Sequence, residues 1–107
     1  MVDKTNLLEE TINVINLNHH NPSEVEWVGN LEGTNAITWT KFTKLADKDY
    51  DSDFGTQEVY ADLVVVGGNW WLERHEYDGS EWWEYKELPK LQHMHANYKQ
   101  IFYKEDE

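Results

Sequence analysis

Two pairs of acids set among tryptophans are the first residues here whose types could do chemistry. Glu73 with Glu84, and Glu76 with Glu81, lie in a stretch that also carries Trp71, Trp82 and Tyr77. Paired carboxylates beside an aromatic platform are what a glycosidase uses to flank a sugar ring. That chemistry needs a cleft, and a chain of 107 residues has little depth from which to build one. Nor is there a nucleophile elbow, a phosphate-cradling loop or a Gly-rich nucleotide fingerprint. No catalytic residue can be named, and the chain reads as a non-enzyme.

A second pattern is Asp47, Asp49, Asp51, Asp53 and Glu58, at positions 1, 3, 5, 7 and 12 of one segment with Phe54 at position 8. The spacing resembles the calcium loop of EF-hand proteins, whose oxygen ligands fall at those positions and end on a bidentate Glu. It departs from that loop at position 6, where Ser52 stands in place of the turn-forming glycine. Calcium binding is therefore the alternative reading, and no cofactor is expected on the main one. The five histidines do not make a zinc site. Cysteine is absent, and no two histidines have helical i,i+4 spacing.

The elements that must position these groups follow from periodicity. Trp70 to Tyr77 and Ser80 to Lys86 are strand-forming runs joined by Asp78-Gly79, and both turn residues tolerate the positive φ of a tight hairpin. A two-residue turn opposes Tyr77 to Ser80, Arg74 to Trp83 and Glu73 to Glu84. Trp71, His75, Tyr77, Trp82, Glu73 and Glu84 then share one face. A three-residue turn would slide the second strand by one residue and exchange Trp82 for Trp83. Under either register at least one tryptophan leaves the core, because side chains alternate faces along a strand. Arg74, the only arginine, can stack on Trp82 or Trp83 or pair with Glu76, Glu81 or Glu84.

Residues 6–17 predict an amphipathic helix, with Asn6 and Glu9 as a capping box and Leu8, Ile12 and Ile15 on one face. Alternation over residues 24–28 predicts a strand, and residues 36–37 another. Thr38 is placed as the N-cap of a helix running to about Lys48. Residues 57–62 could hold a helical turn, and residues 63–66 a strand. Beyond Pro89, Leu91, Met94, Tyr98, Ile101 and Phe102 recur at helical spacing and predict a closing helix, bearing Lys90, Lys99 and Lys104 with no acid before Glu105. The expected architecture is a single α+β domain over residues 1–107. It has a small antiparallel sheet built on the hairpin, with N-terminal, central and C-terminal helices.

Charge narrows the partners. Twenty-one acids against nine bases give a net charge of −12, and residues 47–87 hold twelve of the acids with three bases. Such a surface is repelled by phosphate backbones, which argues against direct nucleic-acid binding. It is drawn to basic protein surfaces. The absence of cysteine, of a basic-then-apolar leader and of any membrane-length apolar run gives the expectation of a cytoplasmic, non-membrane protein.

The run from Asp62 to Gly67, then Trp70 to Arg74 and Glu76 to Trp83, resembles small acidic proteins encoded by bacteriophages and prophages. The likeness spans about Trp39 to Pro89 and names no catalytic residue. It implies a setting in which short acidic proteins bind and inhibit a host or defence protein. The expectation drawn from residues and resemblance together is a protein-binding module, monomeric or homodimeric, whose partner has a basic surface. A nucleic-acid-mimicking inhibitor is one form of it, and aromatic-strip recognition of a carbohydrate or peptide is a further alternative. Its candidate binding residues are Trp71, His75, Tyr77, Trp82, Glu73, Glu84, Glu76 and Glu81.

Overall fold

A computed structural model describes residues 4–53, 55–94 and 96–104. Phe54 of the acidic repeat, His95 of the expected closing helix and the acids 105–107 lie outside the described residues. Along the chain come β1 (Thr5–Asn6), α1 (Leu7–Leu17), a short 3-10 turn (Pro22–Glu24), β2 (Trp27–Asn30), β3 (Ala36–Ile37) and α2 (Trp39–Ala46). They are followed by β4 (Asp49–Tyr50), β5 (Leu63–Val66), β6 (Trp70–Tyr77) and β7 (Ser80–Glu87).

Five strands form one antiparallel sheet in the order β3-β2-β5-β6-β7, and β1 pairs with β4 in a second, two-stranded one. Asp78 at φ 50° and Gly79 at φ 88° make the two-residue turn between β6 and β7, which sets Tyr77 opposite Ser80, Arg74 opposite Trp83 and Glu73 opposite Glu84. Positive φ at both central residues is what lets the turn follow the twist of the strands it joins. Gly29 in β2 answers to a different constraint. A Cβ there would stand 2.0 Å from the Asn35 carbonyl oxygen, so no larger residue fits without moving the link to β3.

Both helices pack on one face of the five-stranded sheet. Ile37, Val28, Val65, Leu72 and Tyr85 lie in one row across its five strands. Ile15 of α1 and Phe42 and Ala46 of α2 close over Val28, Val65, Leu72, Trp70 and Trp83 to form the core. The helices form where their ends are satisfied. Asn6 accepts the Glu9 N–H at the start of α1, and Thr38 accepts the Lys41 N–H at the start of α2. The reciprocal capping box sits instead on the 3-10 turn, between Asn21 and Glu24. The strand expected over residues 24–28 starts later, at Trp27, because Pro22 nucleates that turn first. No helical turn occupies residues 57–62.

The expected architecture needs a larger correction. The protein is sheet-rich, with seven strands and two α-helices among the described residues, and no closing helix follows Pro89. Leu91, Met94, Tyr98, Ile101, Phe102 and Tyr103 are between 71% and 109% exposed. A segment of that length gains little from its own hydrogen bonds against the cost of helix nucleation. Periodicity alone does not hold a helix when its apolar stripe meets no core. Among the described residues no helix is long and apolar enough to cross a membrane.

Candidate functional site

Register divides the candidate residues between two environments. Trp71, Glu73, His75 and Tyr77 of β6 and Trp82 and Glu84 of β7 share the outer face of the sheet, opposite the helices. Glu81 lies on the inner face, with its carboxylate wholly buried. Glu76, its register partner, accepts the Gly79 N–H and closes the hairpin turn.

The inner pair of faces builds a polar centre that periodicity had not located. Arg74 donates through Nε and Nη2 to Glu81 Oε1 at 3.2 and 3.0 Å, and through Nη1 to Glu10 Oε2 at 3.3 Å. Its Nη2 also donates to the Tyr50 hydroxyl, which in turn donates to Glu10. The guanidinium carbon lies 4.9 Å from the Trp83 ring centroid and 5.3 Å from that of Tyr50. The Glu81 carboxylate also accepts the backbone N–H groups of Glu58 and Val59 at 2.7 and 3.1 Å. These bonds clamp the sheet, α1 and the 58–59 loop around one guanidinium. Pairing of β1 with β4 delivers Tyr50 to it, helped by the Leu7 N–H to Lys48 carbonyl bond at 3.1 Å.

A second cluster lies where β6 begins. His19 at φ 65° ends α1 and directs His20 onto Trp70, with ring centroids 4.6 Å apart. The His20 Nδ1 lies 2.9 Å from Glu24 and its Nε2 2.9 Å from the Tyr85 hydroxyl, which donates to Glu87 at 2.8 Å. The His20 contact holds the Glu24 carboxyl below the ordinary carboxylate range. Burial, reinforced by Glu87, pushes the Tyr85 phenol up to about 12, while burial and the bond to Glu10 raise Tyr50 further against the opposing pull of Arg74. A phenol whose folded pKa lies above its unfolded one stabilises the fold fully below the unfolded value, and that contribution is lost as pH rises through the folded value. We therefore expect the thermal midpoint to fall between about pH 10 and pH 12, and Tyr85→Phe to reduce that fall. Absorbance at 295 nm should show tyrosines ionising late. A titration in which all six ionise together near pH 10 would refute this assignment.

The acidic repeat does not converge. Asp47 accepts from the Asn6 side chain at 2.9 Å, and Asp49 lies in β4 opposite Asn6. Asp51 accepts the Asp53 N–H at 3.0 Å, and Glu58 accepts the Asp51 N–H at 2.8 Å. These acids are thus engaged singly, by Asn6 and by N–H groups of their own loop. Among the described residues no group of three or more His, Asp or Glu is placed to hold a metal ion.

The outer face is the side of the sheet that neither helix covers, although Val64 within it is buried. Trp27, Val66, Trp71 and Lys86 form one row across four strands, and Gly29, Val64, Glu73 and Glu84 the next. Trp27, Trp71 and Trp82 are half-buried, and both helices lie on the opposite side. Glu73 and Glu84 oppose each other directly, an unfavourable pairing in isolation. His75 Nε2 bridges them at 3.5 and 3.2 Å, while Glu73 accepts the Trp71 indole N–H at 2.6 Å. His75 also stacks on Trp82, with centroids 6.5 Å apart. Trp27 escaped the sequence reading because β2 joins this face only through its long-range pairing with β5.

Comparison with known proteins assigns no family. No family model matches the chain, and no curated protein or solved structure matches it either.

Proposed function

We propose that this protein is a protein-binding module whose working surface is the outer face of the five-stranded sheet, and that it takes a basic, apolar segment of a partner protein. The observation that carries the reading is the direct opposition of Glu73 and Glu84 between Trp71 and Trp82 on a face that no helix covers. A lysine or arginine brought there adds to the partners the pair already meets, the His75 bridge and Lys86 at 3.6 Å from Glu84, and lies against indole faces, which attract cations. Trp and Tyr supply large contact areas at little conformational cost, as binding hot spots do. The excess of acids over residues 47–87 draws a basic partner to the molecule. Where that partner normally binds nucleic acid, the carboxylates would occupy the sites that its basic side chains offer to phosphates.

Titration with two synthetic peptides of equal apolar content, one rich in lysine and one in glutamate, tests this through tryptophan fluorescence. Only the lysine peptide should bind, and its affinity should drop steeply as salt rises. Trp82→Ala should weaken binding by about 30-fold, a loss of about 2 kcal/mol typical of a hot-spot residue. Equal binding of both peptides, or a response confined to oligosaccharides, would overturn the reading.

A further inference from the structure

The five-stranded sheet has two edges of unequal length. β3 closes one with two residues, while β7 runs for eight residues along the other. The two-residue turn makes Tyr77 and Ser80 a hydrogen-bonded pair, so Trp82, Glu84 and Lys86 also exchange main-chain bonds with β6. Leu88 keeps that phase, donating its N–H to the Asn69 carbonyl at 2.8 Å. Glu81, Trp83, Tyr85 and Glu87 therefore turn their main-chain groups away from the sheet. The outward N–H of Glu81 is taken, since it donates to the Ser52 carbonyl at 2.8 Å. Among the described residues no main-chain bond reaches the outward groups of Trp83, Tyr85 and Glu87. Pro89 has no N–H to offer. The unpaired stretch is thus bounded by Glu81 and Pro89 and centred on Tyr85. We infer that this stretch of β7 pairs antiparallel with the same stretch of a second copy, about a two-fold axis at Tyr85.

A row of unpaired main-chain donors and acceptors is a template for another strand. The order of residues along this row fits it to its own copy. An axis at Tyr85 sets Trp83 opposite Glu87, Tyr85 opposite Tyr85 and Glu87 opposite Trp83, so each unpaired residue meets another. The occupied Glu81 then falls opposite Pro89, which has no donor to lose. Neighbouring registers are worse on two counts. An axis at Glu84 sets Glu84 against Glu84 and Glu87 against the occupied Glu81. An axis at Lys86 sets Lys86 against Lys86 and Trp83 against Pro89. Only the axis at Tyr85 sets Glu84 opposite Lys86, on both sides of the two-fold. Lys86 already lies 3.6 Å from Glu84 of its own strand, and His75 lies 3.2 Å from the same carboxylate. Pairing extends that cluster across the axis and sets no like charges directly opposite. The strand opens to solvent along this half, with Glu84 and Tyr85 half-buried and Lys86 and Glu87 exposed. Trp83 takes part through its main chain alone, because its indole is buried against Thr11 of α1. Paired residues share a face, so the outer faces of both copies become one side of a continuous sheet, with the helices on the other.

Sedimentation of the full chain at tens of micromolar should give twice the 12.7 kDa monomer mass. Glu87→Pro removes an outward N–H from each copy and no bond to β6. It should weaken association at least about tenfold, while a thermal melt shows the fold kept. Glu84→Lys and Lys86→Glu should each weaken association by a similar factor, because each sets like charges opposite across the axis. Mixed in equal amounts, these two charge variants should associate as the unaltered chain does, because each then meets its opposite. A monomeric full chain, a dimer that Glu87→Pro leaves intact, or charge variants that fail to associate when mixed would overturn the inference. Glu87→Pro leaves Trp71, Glu73, Trp82 and Glu84 in place, so the lysine-peptide titration on that variant reads the proposed function separately.

Discussion

Replacing Arg74 by methionine should remove about 3–5 kcal/mol of folding stability, because it leaves the wholly buried Glu81 carboxylate without its counter-charge. For a domain of this size that is a large share of the roughly 5–15 kcal/mol available. Urea denaturation followed by tryptophan fluorescence should show a midpoint lowered by about 2 M or unfolding in plain buffer. Arg74 also separates the Tyr50 and Trp83 rings and holds Glu10 of α1, so its loss loosens three elements together. The partner substitution sharpens the argument. In the double variant Arg74→Met with Glu81→Leu no charge is stranded at Glu81, and part of the lost stability should return. Full recovery is not expected, since the Glu58 and Val59 N–H groups lose their acceptor when Glu81 is replaced. If Arg74→Met alone costs less than about 1 kcal/mol, the buried pairing is not what holds this face of the sheet.

The neighbouring tryptophans of β7 should behave oppositely. Trp83 is 5% exposed, stacks on Arg74 and donates its indole N–H to Thr11 at 2.9 Å. Trp83→Ala should therefore cost about 3–5 kcal/mol, combining a cavity with the loss of one buried hydrogen bond to Thr11, whose hydroxyl keeps its bond to the Leu7 carbonyl. Trp82 points the other way, towards His75 on the outer face, and Trp82→Ala should change stability by no more than about 1 kcal/mol while impairing recognition. Equilibrium unfolding of both variants decides the matter, with peptide binding measured in parallel. A costly Trp82→Ala beside a mild Trp83→Ala would mean that β7 is paired one residue out of the register described here.

These two experiments probe the boundary between local and tertiary determination. The hairpin was legible because Asp78-Gly79 tolerates the positive φ of a tight turn, but the sequence admitted a two- or a three-residue turn, and the structure fixes the two-residue one. From that register alone, Trp71, Glu73, His75, Tyr77, Trp82 and Glu84 fall together on one face. The two helices were legible for a similar reason, since the Asn6 and Thr38 caps and the apolar spacing behind them act within a few residues.

Glu81 marks where local reasoning stopped. Alternation places it on the face opposite Glu84, and the sequence offers it to Arg74 only as one of three acids. Only the arrival of Arg74, of Tyr50 through the β1–β4 pairing and of the 58–59 loop turns it into a buried ligand of a guanidinium. The same holds for Asp47 to Glu58, whose spacing suggested a metal loop but whose acids instead accept from Asn6 and from N–H groups of their own loop. Residues 90–104 show the converse, a helical pattern that no core surface meets.

By itself, then, the sequence determined helix caps, the place of the hairpin turn and the alternation of side chains along each strand, while two registers stayed open for β7. These depend on φ preferences and on hydrogen bonds spanning a few residues. Tertiary structure alone decided which carboxylate is buried and which face the helices cover, so that the outer tryptophans stay half-exposed. Those outcomes depend on desolvation and pairing between segments far apart in the chain, energies that no local pattern carries.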